Sequence, residues 1–359
     1  MPDIPKSDEK QLAPADRQRS VATRSILASR GLELALDVRQ EKERIGYDNE
    51  GIRCLYDLAN EQDDADAQYI LGILYEEGGG FSGVPQDVAE AVRWYRRAAR
   101  QGLADAQYAL GICYANGEGV PKDDGEAAYW YRQAVEQGHA EAQNNLGIMY
   151  ANGEGVPQDD IEAVRWYRRA AEQGDADAQY NLGISYANGE GVPQDEVEAA
   201  RWLRLSAEQG DADAQFMLGD AYAEGRGVTQ DSGEAVRWYR RAAEQGHAEG
   251  QTRLGIMYDY GEGVPQNYTE AVRWYRQAAE QGHARAQFRI GSLYFIGRGV
   301  SEDYVQAHKW FNLAGSRISS SERKLRDSSM QFRDEVASMM TPAQIAEAQR
   351  LAREWEFGQ

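Results

Sequence analysis

Apolar positions in this chain recur on two rhythms, a helical one of three and four residues and a longer one of 36. Between Ala140 and Asp175, one helical face is marked by Ala140, Ala142, Leu146, Gly147 and Tyr150. A second face is marked by Ala163, Trp166, Tyr167, Ala170 and Ala171. Asn152-Gly153 stops the first helix, because glycine just past a helix end takes the left-handed conformation without steric cost. Asp159 and Glu162 open the second as a D-x-x-E pair, an N-cap carboxylate with an acid placed to reach back to it. Gln173-Gly174 closes it. The pattern predicts two helices of about 13 residues joined by a glycine-rich loop.

The same frame, A-x-[AG]-Q-x-x-[LI]-G-x-x-Y-x-x-G-x-G-V, begins at Ala104, Ala140, Ala176, Ala212, Ala248 and Ala284. An earlier copy starts at Ala65 and is three residues longer, with the excess in Gly78 to Gly83. Seven of the eight tryptophans share one column: Trp94, Trp130, Trp166, Trp202, Trp238, Trp274 and Trp310. A fixed period of this length points to a solenoid. Ordering each residue costs ~1–2 kcal/mol of backbone entropy, which one short hairpin cannot offset alone, so the copies must stack. Alanine and glycine columns let helix axes approach, and the tryptophans fill the space between. Trp202→Ala is expected to cost about 3–5 kcal/mol on this view.

The expected fold is all-α, an α/α solenoid of about seven 36-residue helix-turn-helix repeats with helical caps at both ends. Residues 1–20 are expected to form a disordered tail and residues 21–64 a capping helix, over Ala22 to Arg44, plus a degenerate half-repeat. The seven repeats fill residues 65–314. Two capping helices fill residues 315–359, one from about Ser320 to Met339 and one starting at Thr341-Pro342.

The A-x-A-Q-x-x-L-G-x-x-Y, G-x-G-V, D-x-x-E-A, W and A-A-x-Q-G elements resemble the Sel-one-like repeat family, a subclass of tetratricopeptide-like α/α solenoids. The resemblance covers residues 65–314 nearly without gaps. It implies a right-handed superhelix whose first helices line the concave face. It also implies a non-enzymatic adaptor or scaffold role, often in bacterial signalling, secretion or host interaction.

Composition narrows the chemistry. The net charge is −20, and −19 of it lies on residues 51–314, so phosphate backbones are repelled and nucleic acid is not an expected partner. No stretch approaches the ~20 apolar residues that span a bilayer. With two cysteines, Cys54 and Cys113, and no apolar leader at the N-terminus, the expected location is the cytoplasm. Two cysteines also argue against the family branch discussed as β-lactam-binding, whose repeats hold paired cysteines.

His139, His247 and His283 share a column with Asp175 and Asp211, which marks a helix-capping position. No metal, cofactor, catalytic cluster or small-molecule substrate is expected. The Gly117-Glu118-Gly119 loops carry an acid and lack the lysine of a phosphate-binding loop. The arginines Arg165, Arg168 and Arg169, and their equivalents, read as a solvated, salt-bridged face beside Glu162 and Glu172.

Recognition is expected where copies differ. After the frame glutamine come Tyr69, Tyr108, Asn144, Tyr180, Phe216, Thr252 and Phe288, then Ile70, Ala109, Asn145, Asn181, Met217, Arg253 and Arg289. The candidate partner-binding set is Tyr108, Asn144, Asn145, Tyr180, Asn181, Phe216, Met217, Arg253, Phe288 and Arg289, facing a protein or extended peptide. The alternative for the aromatic column is packing between first helices. Copies five to seven depart most from the frame, at Asp220, Tyr260, Ser292, Phe295 and Ile296. The leading functional expectation is a protein-binding scaffold. Behind it stand an inhibitor or immunity protein for one toxin or enzyme, and, more remotely, a cell-wall or β-lactam hydrolase.

Overall fold

The computed structural model describes residues 49–78, 84–317 and 323–357, which form seventeen helices and no strand. The helix expected over Ala22 to Arg44, the tail over residues 1–20 and most of the enlarged glycine loop fall outside these described residues. The chain divides into two compact units, the first ending at Gln194 and the second beginning at Asp195.

In the first unit, α1 (Asn49–Glu61) precedes α2 (Ala65–Glu77), α3 (Val88–Arg100), α4 (Ala104–Asn116), α5 (Asp124–Glu136), α6 (Ala140–Asn152), α7 (Asp160–Glu172) and α8 (Ala176–Asn188). The second unit holds α9 (Glu196–Glu208), α10 (Ala212–Glu224), α11 (Ser232–Glu244), α12 (Ala248–Tyr260), α13 (Tyr268–Glu280), α14 (Ala284–Ile296) and α15 (Tyr304–Arg317). It ends with α16 (Arg323–Ser338) and α17 (Pro342–Phe357). Helices α4 to α14 are each 13 residues long, the length expected from the pattern.

The helix stops form as expected. Gly117, Gly153, Gly189, Gly225, Gly261 and Gly297 are all left-handed caps. At the second-helix starts, the side chains of Asp87, Asp123, Asp159, Asp195 and Asp231 accept the N–H three residues on. The reciprocal half of the capping box is replaced by another arrangement. The N–H of Asp123 donates to the Tyr114 carbonyl at 2.9 Å, and Asp159 and Asp231 do the same with Tyr150 and Tyr222. With that donor already satisfied by the preceding helix, Glu90 and Glu234 turn outward to Arg93 and Arg237.

The tryptophan column is buried at Trp94, Trp202, Trp238, Trp274 and Trp310, and half-buried at Trp130 and Trp166. The tighter joint is one residue on. Tyr95, Tyr239, Tyr275 and Phe311 are among the largest side chains with essentially no exposure. Each such ring lies against the frame glycine of its own first helix. A Cβ at Gly147 would stand 2.7 Å from the Tyr167 ring, and one at Gly255 2.6 Å from the Tyr275 ring. Glycine there makes room for the ring.

The second loop glycine joins one copy to the one before it. A Cβ on Gly155 would sit 2.0 Å from the Asp124 carbonyl oxygen, and one on Gly227 1.8 Å from that of Glu196. Both have positive φ, so the backbone and the space each require glycine.

Candidate partner-binding face of the first helices

Two glutamine columns hold the first helices in place. Gln107 donates its amide to the Ala99 carbonyl of the preceding copy at 3.2 Å, while its own oxygen accepts from Gln137 at 2.8 Å. The pair recurs at Gln215 with Gln245 and at Gln251 with Gln281. Gln107, Gln215 and Gln251 are buried, so an unmet bond there would carry a full desolvation penalty, whereas their partners Gln137, Gln245 and Gln281 are exposed. The signal is one glutamine column at a core-facing helical position and a second at the C-cap of the following helix, a pairing that periodicity alone does not show.

The histidine column caps as expected. Nδ1 of His247 accepts the Gly250 N–H at 3.0 Å, leaving Nε2 to bond Asp213 of the preceding first helix at 3.0 Å. His139 and His283 repeat this, with Nε2 at 3.3 Å from Asp105 and 2.6 Å from Glu249 respectively. Each histidine is thus a cap and a clamp between copies.

Within the candidate set, the column after the glutamine lies largely between helices. Tyr108, Asn144 and Phe216 are buried. The Tyr108 ring rests on Tyr131 and His139, at 5.9 and 4.6 Å between centroids, and Phe216 meets His247 at 5.0 Å. Phe288 is half-buried and covered by Phe332 of α16 at 5.6 Å. Tyr180 is half-buried.

The next column is more open: Asn145, Asn181, Met217, Arg253 and Arg289 are all half-buried. In the first unit its links are neutral, with Asn181 donating to the Asn144 oxygen at 2.9 Å and Asn145 reaching the Tyr131 hydroxyl at 3.4 Å. In the second unit they are charged. Arg253 lies 3.5 Å from Asp220 and 3.6 Å from Glu249, and Glu249 meets Arg285 at 3.3 Å. Asp220 also accepts from the Tyr239 hydroxyl at 2.5 Å. Burial pushes the Asp220 carboxyl above the usual range, against the pull of Arg253 and that hydroxyl. Burial acts the same way on Glu249, but the His283 hydrogen bond and the charges of His283, Arg285 and Arg253 outweigh it and hold it at about 2.

The arginines of the second helices are less free than a solvated face implies. Arg165 pairs with Glu162, but Arg168 donates to Tyr186 of the next copy at 2.7 Å, and Arg169 lies 4.6 Å over the Trp166 ring. Arg237, Arg240 and Arg241 repeat the arrangement around an open groove of about 760 Å³.

Among the described residues no group of three or more His, Cys, Asp or Glu could hold a metal ion. Cys113 is buried, and burial pushes its thiol well above the usual range, which leaves it a poor nucleophile.

A family model described as Sel1 repeat matches residues 65–103, 104–139, 140–175, 176–211, 212–247, 248–283 and 284–317. Among solved structures, a Sel1 repeat protein from Oxalobacter formigenes is 37% identical, with a TM-score of 0.55 over 60% of this chain and 86% of that one. A protective antigen of uropathogenic Escherichia coli displaying an SLR fold is 30% identical, with a TM-score of 0.48 over 83% of this chain and 85% of that one. Immunity protein Pa5087 of Pseudomonas aeruginosa is 22% identical, with a TM-score of 0.36 over 65% of this chain and 81% of that one. No curated protein matches the chain.

Proposed function

Because the chain belongs to the Sel1 repeat family, whose helix-pair fold serves protein–protein interaction without catalysis, we propose that it binds a protein or peptide partner along its first helices. The observation that carries this is a division of labour among columns. Glutamine, glycine and tyrosine columns are spent on packing, whereas the second position after the glutamine, buried as Ala109, is half-buried in the following copies and changes there among asparagine, methionine and arginine. Such a column can vary its chemistry without disturbing the fold.

Within this reading, one dedicated partner, as for an inhibitor or immunity protein, is favoured over a many-partner scaffold. Departures from the frame gather in copies five to seven, at Asp220, Tyr260, Ser292, Phe295 and Ile296, instead of being spread evenly. We place this work in the cytoplasm, in keeping with a buried, unbridged Cys113 and with described helices none of which is long and apolar enough to cross a membrane.

Affinity capture on the intact chain, followed by calorimetry with the purified partner, tests the proposal. Two variants, Asn145→Ala/Asn181→Ala in the first unit and Met217→Ala/Arg289→Ala in the second, are expected to weaken binding by about tenfold or more where the partner lies. Undiminished binding in both overturns the first-helix face. A partner enzyme whose activity is lost in the complex selects the inhibitor role.

A further inference from the structure

We infer that the C-terminal ends of α12 and α14 form a docking edge for an acidic segment of a partner protein that carries an aromatic or aliphatic anchor. This rests on the binding reading above and gives the partner its chemistry. From Ala284 to Ser301 the seventh copy holds Arg285, Arg289 and Arg298 and no carboxylate, a charge of +3. The equivalent 18-residue window sums to −2 in each of copies two to six. Among the first-helix windows of copies two to seven, this is where the charge inverts.

Apolar exposure appears at the same edge. Tyr260 is 56% and Ile296 48% exposed, at the helix-end column where Asn116, Asn152 and Asn188 stand in other copies. The pieces are joined: Arg289 donates to the Tyr260 hydroxyl at 3.0 Å, and Arg298 is exposed with its guanidinium 5.4 Å over the Tyr268 ring. Asp259 faces these two guanidinia and Glu302 lies beside Gly297, and they offset part of the charge. Arginines held on aromatic rings lose little freedom when they bind a carboxylate, and exposed Tyr and Ile beside them supply the apolar contact. The first-helix windows of copies two to six are net acidic and repel an acidic segment, so the same charge distribution that attracts it here excludes wrong registers along this face.

The test selects binders from a random peptide library of about 12 residues on the intact chain, then measures the enriched peptides by fluorescence anisotropy. The control is Tyr260→Asn/Ile296→Asn/Arg298→Glu, which installs residues that other copies already hold and so keeps the fold, as circular dichroism verifies. Enriched peptides are expected to be net negative with an aromatic or aliphatic residue. Their affinity is expected to fall about tenfold or more in the variant, and to weaken as salt rises through about 0.3 M. Neutral or basic peptides, equal binding to the variant, no enrichment, or displacement by a single-stranded oligonucleotide each overturn the edge. A captured partner lost by Met217→Ala/Arg289→Ala but retained by the triple variant overturns the edge alone and leaves the first-helix reading standing.

Discussion

The first helices of the two units are tied by different chemistry at the same positions. In the first unit, Asn181 bonds Asn144 and Asn145 reaches Tyr131, amide to amide and amide to hydroxyl. In the second, Arg253 bridges Asp220 and Glu249, and Arg289 reaches the hydroxyl of Tyr260. Helix length and cap geometry are unchanged between them. The frame therefore sets the backbone through its glycines, glutamines and buried rings, and leaves neighbouring columns free to change sign. What differs between the units is the chemistry each offers outward.

The sharpest test of the shared frame is the loop glycine. Gly155→Ala and Gly227→Ala would each drive a methyl into a backbone carbonyl at a positive φ, with no flexible side chain to yield. Losses of about 3 kcal/mol or more are expected from both in denaturant unfolding, equal in the two units. A loss confined to one unit would break the comparison.

Tyr239→Phe and Tyr131→Phe probe where the units differ. The first leaves buried Asp220 without its hydroxyl donor and is expected to cost about 1–3 kcal/mol. The second gives up only a 3.4 Å contact to half-buried Asn145 and should cost distinctly less. The opposite order would mean the charged links contribute little.

Asp175 gives a prediction in pH. Burial raises this N-cap carboxyl from 3.8 to about 7, despite its bond from Ala178. Folding then takes up a proton between those values, so this group's contribution to stability is greatest below the unfolded value and declines as pH rises through about 7. Asp175→Asn keeps a cap acceptor and removes the charge. Melting scans should show a flatter pH profile over that window and a more stable variant above it. The smallest effect is expected at Glu162→Gln, which breaks an exposed pair with Arg165 and should shift stability by no more than about 0.5 kcal/mol.

Much of the fold was legible because the repeat is observed many times in one chain. Helix lengths, left-handed stops, aspartate caps and the histidine-for-aspartate exchange all follow from local rules. What was hidden depends on contacts between copies. The N-cap donors already have tyrosine carbonyls from the preceding helix, so the capping glutamates turn outward. The tyrosine that follows the tryptophan in five of the seven copies is the closer-fitting ring, a fact visible only once Gly147 is seen against Tyr167. In the candidate face, the sequence at the position after the glutamine leaves groove and inter-helix packing both open, and Tyr108 and Phe216 lie under the histidine that caps the next first helix. Asn145, Asn181, Met217, Arg253 and Arg289 remain partly open because they sit one helical step further round.

The seating of Gly155 on Asp124, repeated down each unit, makes length a quantised property. Gain or loss of a whole 36-residue module recreates every seat, whereas a slip of one or two residues leaves a carbonyl and a loop out of register. Such a protein can grow or shrink by recombination between its own copies while its joints stay intact, and a newly duplicated module is then free to acquire its own outward chemistry.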